Sequence, residues 1–231
     1  MSEFRTGLKD GVAIGLGYLS VSFAFGVSAA KGGLPLWATV AISMTNLTSA
    51  GQLAGLSVIL ASGGWIEMIL TQFVINLRYA LMSVTLSQKI PEKTSLPRRM
   101  LMAFGITDEI FAVSAAKRAP VTPAYYFGLM TLPYWCWAGG TFLGAAAGGI
   151  LPARVLSALG VAIYAMFIAI VLPAAKKSRP VLIVAAIALL FRCAFVFLPF
   201  LKTVGSGFAV IFCAVAAAAV GAWIYPAEDA A

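Results

Sequence analysis

The sequence has no histidine, only eight acidic residues, and three cysteines in 231 positions. Without histidine, imidazole proton relays and histidine metal sites are excluded. Cys136, Cys193 and Cys213 stand singly inside apolar runs, without metal-ligand spacing, and read as helix-packing residues. Charge is also scarce: 10% of the residues are charged and 61% are hydrophobic, against roughly 25% charged in a soluble domain. That balance makes the chain an integral membrane protein. No polar stretch outside the membrane exceeds about a dozen residues, so residues 1–231 read as one membrane domain with no soluble domain attached. Nothing matches a nucleotide loop, a metal-carboxylate motif or a nucleophile elbow. No cofactor or metal is implied, and an enzymatic reading has little to stand on.

The apolar runs last about 20 residues, the length of a helical bilayer crossing and too long for barrel strands. The predicted fold is therefore an all-α, polytopic helical bundle of about six to eight membrane segments. The net charge of +8 does not point to nucleic acid, because basic residues at helix ends set topology against anionic lipid. Arg5 and Lys9 before an apolar stretch ending Val27-Ser28-Ala29-Ala30 have the outline of a signal peptide. The run from Gly11 to Ala30 is long for one and reads as the first span.

The segments fall near 11–30, 34–62, 65–88, 100–116, 124–150, 155–173, 180–200 and 205–224. If all eight crossed, Lys and Arg would divide seven to seven between the two sides, against the usual inside excess. If 34–62 and 100–116 enter and return, or break without a net crossing, eleven basic residues lie inside and three outside. Those are also the two most polar segments. Discontinuous or re-entrant geometry is thus expected near 43–52 and 105–110, although a long tilted helix would also accommodate 34–62.

Within the first of them, Ser43-Met-Thr-Asn-Leu-Thr-Ser-Ala-Gly-Gln52 has seven polar or glycine residues in ten. In hydrocarbon an unsatisfied polar group costs several kcal/mol, so such a stretch persists only inside protein or beside a wet cavity. These residue types also let a helix stop and restart, leaving bare N–H and C=O groups where a solute can reach them. Thr45, Asn46, Ser49 and Gln52 are candidate substrate-binding residues on that ground, with Asn76 and Arg78 further on. Asn46 and Gln52 serve equally well as interhelical glue.

Four charges fall well within the apolar runs: Arg78, Asp108, Glu109 and Arg192, summing to zero. A lone mid-bilayer charge costs about 2.5–3.5 kcal/mol, so partners or water are expected. One reading is a structural ion pair between an arginine and the 108–109 carboxylates. The other gives Arg78 the carboxylate of an anionic or zwitterionic solute, with Asp108 or Glu109 facing an ammonium group or carrying a coupling proton. Adjacent residues diverge by about 100° on a helix, so one carboxylate faces the pathway, and Asp108 is the choice. Glu67 reads as a solvated interface residue beside Trp65, and Asp10 as a first-turn charge. Phe23, Phe25 and Phe111 are expected walls for an aliphatic group. Trp135 and Trp137 read by default as interface anchors. Gly140, Gly144 and Gly148 form a smooth helix strip suited to packing within the chain or to a subunit contact. Gly7-Leu-Lys-Asp10 and Gly105-Ile-Thr-Asp108 form a faint internal echo.

Taken in order, Phe4-x-x-Gly7-x-x-Asp10-Gly11, Gly17-Tyr18, Phe23-Ala-Phe-Gly26, Ser49-Ala-Gly-Gln52, Asn76-Leu-Arg78 and Thr107-Asp108-Glu109 resemble AzlC-type branched-chain amino-acid permeases. The resemblance covers roughly residues 4–118. It implies a bacterial inner-membrane exporter of branched-chain or similar small neutral amino acids, driven by a proton gradient. It also implies a small hydrophobic AzlD-type companion subunit. Two positions depart from the family pattern: Tyr79 stands where histidine is common after Asn-x-Arg, and Gly51 where serine often precedes glutamine. Tyrosine does not titrate near neutrality, so any proton handling by that histidine is missing here. The expected function is a secondary transporter subunit. The alternatives are a substrate-binding membrane component of an ATP-driven importer, a membrane-embedded lipid enzyme and a channel-like pore.

Overall fold

A computed structural model describes residues 2–148, 172, 175, 176, 178–201 and 203–225. Regular structure among them is entirely helical: α1 (Glu3–Lys31), α2 (Leu36–Thr45), α3 (Ser49–Leu60), α4 (Trp65–Ser87), α5 (Leu96–Phe104), α6 (Asp108–Ala116), α7 (Pro123–Ala147), α8 (Arg179–Phe197) and α9 (Ser206–Ile224), with a 3-10 turn at Pro199–Leu201. Helices α1, α4, α8 and α9 are long and apolar enough to cross a membrane. At 25 residues α7 has the length as well, about 37 Å at helical rise, with a more aromatic and glycine-rich composition. The protein is an all-α membrane protein. The apolar run expected at 155–173 lies almost wholly outside the described residues.

The chain divides into two compact units. The described residues of the first are 2–52 and 76–148; those of the second fall within 53–75 and 172–225.

The first unit is built on α1 packed lengthwise against α7. Glycines make the approach possible. A Cβ on Gly7 would lie 2.0 Å from the Tyr125 carbonyl oxygen, one on Gly128 2.1 Å from that of Phe4, and one on Gly144 2.0 Å from that of Phe23. Backbones touch at both ends of the crossing, the arrangement by which membrane helices associate without a hydrophobic drive. The Gly140–Gly144–Gly148 strip is therefore spent on α1, within the chain. Pro133, inside α7, cannot bond the carbonyl four residues back. That carbonyl, on Leu129, is the one against which Gly11 packs: a Cβ there would sit 2.5 Å from it.

Helix α1 starts eight residues before the expected span, which moves Asp10 out of the first turn. It accepts a 2.7 Å hydrogen bond from the Tyr125 hydroxyl instead. Leu86, Met102, Ile106, Ile110, Val121, Tyr125, Tyr126 and Leu129 form an apolar core that seats the end of α4, both halves of α5–α6 and the start of α7. Four of the five tryptophans, Trp37, Trp65, Trp135 and Trp223, are exposed, as interface anchors are. Trp137 departs from that expectation: it is buried and lies edge-on to Tyr18, ring centroids 5.2 Å apart.

In the second unit α9 presents Ala209, Cys213, Ala217 and Gly221 as its buried, four-spaced face, and Phe191 and Phe195 of α8 pack about Phe212. Arg192 is exposed on α8.

Candidate functional site

Both segments expected to be discontinuous are interrupted by three residues. Helix α2 ends at Thr45 and α3 starts at Ser49; α5 ends at Phe104 and α6 starts at Asp108. The local chemistry is the same in each. Asn46 (φ −140°, ψ 107°) and Thr107 (φ −134°, ψ 169°) are extended. The threonine before each restart caps the new helix. Thr48 accepts from the Gly51 N–H through its hydroxyl (3.3 Å) and from the Gln52 N–H through its carbonyl (2.9 Å). Thr107 does the same for Ile110 (3.3 Å) and Phe111 (2.8 Å). A threonine cap satisfies donors that the first turn would otherwise leave bare.

Around the first interruption the ties are neutral. The Gln52 amide donates to the Ser43 hydroxyl (2.8 Å) and the Asn46 carbonyl (3.0 Å), stapling α3 back onto α2. Ser43 meets the Thr141 hydroxyl of α7 at 2.7 Å, and Thr141 donates to the Ser22 carbonyl of α1. Gln52 is thus buried and turned inward, with both its donors engaged by the chain. Around the second interruption the ties are ionic. Arg78 of α4 pairs with Asp108 at 2.8 Å, with side chains 44% and 41% exposed. The Tyr18 hydroxyl lies 2.5 Å from Glu109 Oε2 and 2.6 Å from Thr107 Oγ1. One hydroxyl carries one proton. With Glu109 ionised, Tyr18 donates to it and receives from Thr107. With Glu109 protonated, the donor direction along Glu109–Tyr18–Thr107 reverses.

An open cavity of about 150 Å³ is lined by Thr45, Asn46, Leu47 and Thr48 of the first interruption, Asn76 and Tyr79 of α4, and Ala103, Phe104 and Ile106 at the second. Tyr79 lies in the cavity wall with both interruptions, and its hydroxyl accepts from Arg78 Nη2 at 3.3 Å.

Of the residues singled out from the sequence, Thr45, Asn46 and Asn76 line the cavity; Arg78 and Asp108 form an ion pair outside its lining, and Arg78 meets the lining at Tyr79. Ser49 opens α3, Gln52 braces the interruption, and Glu109 diverges from Asp108 toward Tyr18. The apolar lining comes from Leu47, Phe104 and Ile106, whereas Phe25 is buried in the α1 packing face and Phe111 packs on the core. Tyr18, Thr107 and Thr141 carried no legible role in the sequence, because their partners lie about 90 to 120 residues away. The threonine three residues after each α2/α5 end was the readable signal. Asn46-Leu-Thr48 and Gly105-Ile-Thr107 share the same local device, whereas Gly7 lies within the second turn of α1 and Gly105 at an interruption.

Comparison with known proteins adds three matches. A family model described as AzlC protein matches residues 13–151, a range holding both interruptions, Tyr18, Arg78, Asp108 and Glu109. An uncharacterized membrane protein of Archaeoglobus fulgidus is 35% identical over 175 residues, 75% of this chain and 76% of its own length. Inner membrane protein YgaZ of Escherichia coli K12 is 30% identical over 195 residues, 80% of this chain and 79% of its own length. No solved structure matches.

Proposed function

The chain belongs to the AzlC family, and on that premise we propose that it is the permease subunit of a secondary transporter, not an enzyme. It moves branched-chain or similar small neutral amino acids outward in exchange for protons, across the inner membrane that the name of the Escherichia coli relative specifies for that protein. Residues 1–231 act as one transport domain, with a small hydrophobic AzlD-type subunit as companion.

The observation that carries this reading is the half-exposed Arg78–Asp108 pair, linked through Tyr79 to the wall of a cavity bounded by two helix interruptions. A zwitterion is the natural guest of such a pair. Its carboxylate takes Arg78 and its ammonium takes Asp108, so the pair and its guest together carry no net charge. A cationic or anionic solute would leave one unpaired charge, at about 2.5–3.5 kcal/mol or more. The start of α3 supports the same polarity, because its first turn carries no acidic residue and its positive end suits a carboxylate. The start of α6 already holds two carboxylates. Leu47, Phe104 and Ile106 receive the aliphatic side chain. Glu109, on its reversible hydrogen-bond chain with Tyr18, holds the coupling proton.

Counterflow of labelled leucine or valine in proteoliposomes, with and without the companion subunit and without ATP, tests the assignment. Saturable, stereoselective exchange is expected. Exchange that appears only with an added ATPase would move the chain to the importer class.

A further inference from the structure

Glu67, in the second unit, was expected to be a solvated interface residue. It is 6% exposed, and its burial is engineered by three glycines. A Cβ on Gly63 would lie 2.7 Å from Oε2 of Glu67, one on Gly205 2.5 Å from Oε1, and one on Gly207 2.8 Å from Cγ. Oε1 accepts a 2.6 Å hydrogen bond from the Gly207 N–H at the start of α9. One turn along α4, Thr71 is fully buried, and its hydroxyl has no hydrogen-bond partner. It points at the same glycine: a Cβ on Gly207 would lie 2.3 Å from Thr71 Oγ1 and 3.0 Å from Glu67 Oε1. Among the described residues, the groups packed about the carboxylate are Gly205 at the N-cap of α9, Gly207 of α9 and Gly63 of the α3–α4 turn, with Val58 against Gly63 and Thr71 against Gly207. None of these carries a charge, and among the described residues no ion pair involves Glu67.

We propose that Glu67 and Thr71, closed over by Gly63, Gly205 and Gly207, form a second proton-binding site, separate from the Asp108–Glu109 region. The contacts are too tight for a metal ion with a shell of oxygen ligands. A proton adds no volume. The Thr71 hydroxyl, unpartnered in this structure, has the chemistry to serve both states by rotating: it would donate to the bare carboxylate and accept from the protonated one. The backbone need not move between them, and the proton comes from and returns to the aqueous phase. The alternative is a carboxylate that stays ionised and only caps α9.

Infrared difference spectra of the purified wild-type protein between acid and alkaline buffer decide between them without reference to transport. A carboxylic C=O band is expected that is absent in Glu67→Gln and present in Glu109→Gln. Glu67→Gln keeps an acceptor for the Gly207 N–H, and a melting curve within a few degrees of wild type establishes that it is folded. Thr71→Val, which preserves shape, should move the band to higher frequency because the hydroxyl that the protonated carboxyl is proposed to engage is gone. A Glu67→Gln spectrum identical to wild type, or a band that Thr71→Val leaves unmoved, overturns the proposal.

Discussion

The two helix interruptions use one backbone device and two chemistries. Each is three residues long, each ends in a threonine that caps the restarted helix, and each contributes to the wall of the same cavity. The first is held by an amide and two hydroxyls and opens onto Ser49-Ala50-Gly51. The second is held by an arginine and a tyrosine and opens onto Asp108-Glu109. A helix start without acidic residues favours anions, and one already carrying two carboxylates favours cations and protons. On the proposed function, this difference is what orients an α-amino acid between the two interruptions.

Removing the ionic tie should give the largest effect. Arg78→Ala leaves Asp108 uncompensated, and leucine counterflow is expected to fall at least about 100-fold, with a destabilisation below the ~3–5 kcal/mol of a fully buried pair. Asp108→Asn should lose transport equally while folding. The double variant should recover thermal stability but not counterflow, because charge balance returns without the anchor. Recovered transport would show that the pair is structural only.

Cutting the neutral staple comes next. Gln52→Ala leaves the Ser43 hydroxyl and Asn46 carbonyl short of a donor, and a loss of about 1–3 kcal/mol is expected in a denaturant or thermal titration. Counterflow should weaken through a raised KM as the cavity wall loosens. The caps are smaller and should be alike: Thr48→Ala and Thr107→Ala are each expected to cost about 1 kcal/mol. A threefold gap between them would break the equivalence of the two interruptions.

The gentlest change separates substrate from proton. Tyr18→Phe keeps the ring against Trp137 and removes the hydroxyl from Glu109 and Thr107. Counterflow at fixed pH should stay within about twofold of wild type, whereas accumulation driven by a pH gradient should fall. Equal loss of both would place Tyr18 in substrate binding.

Much of this contrast was readable in the residues. Polar density in 43–52 and the Lys/Arg imbalance together located interruptions that fall at 46–48 and 105–107. Depth in an apolar run exposed Arg78 and Asp108 as residues in need of partners. What escaped was long-range or depended on neighbouring shape. Tyr18 lies 91 residues from Glu109, the burial of Trp137 depends on α1 crossing α7, and Glu67 is enclosed only because glycines from the α3–α4 turn and α9 close over it. A pattern along one helix reports which residues are costly in lipid, but not which distant side chain relieves the cost.

The most direct measurement compares three solutes of one shape in the same proteoliposomes: leucine, leucinamide, which lacks the carboxylate, and 4-methylvalerate, which lacks the amine. Insertion into the Arg78–Asp108 pair predicts exchange of leucine, with both truncated analogues at least about tenfold weaker as competitors, each leaving one charge unmatched. Competition by either analogue as strong as that of leucine itself would contradict it.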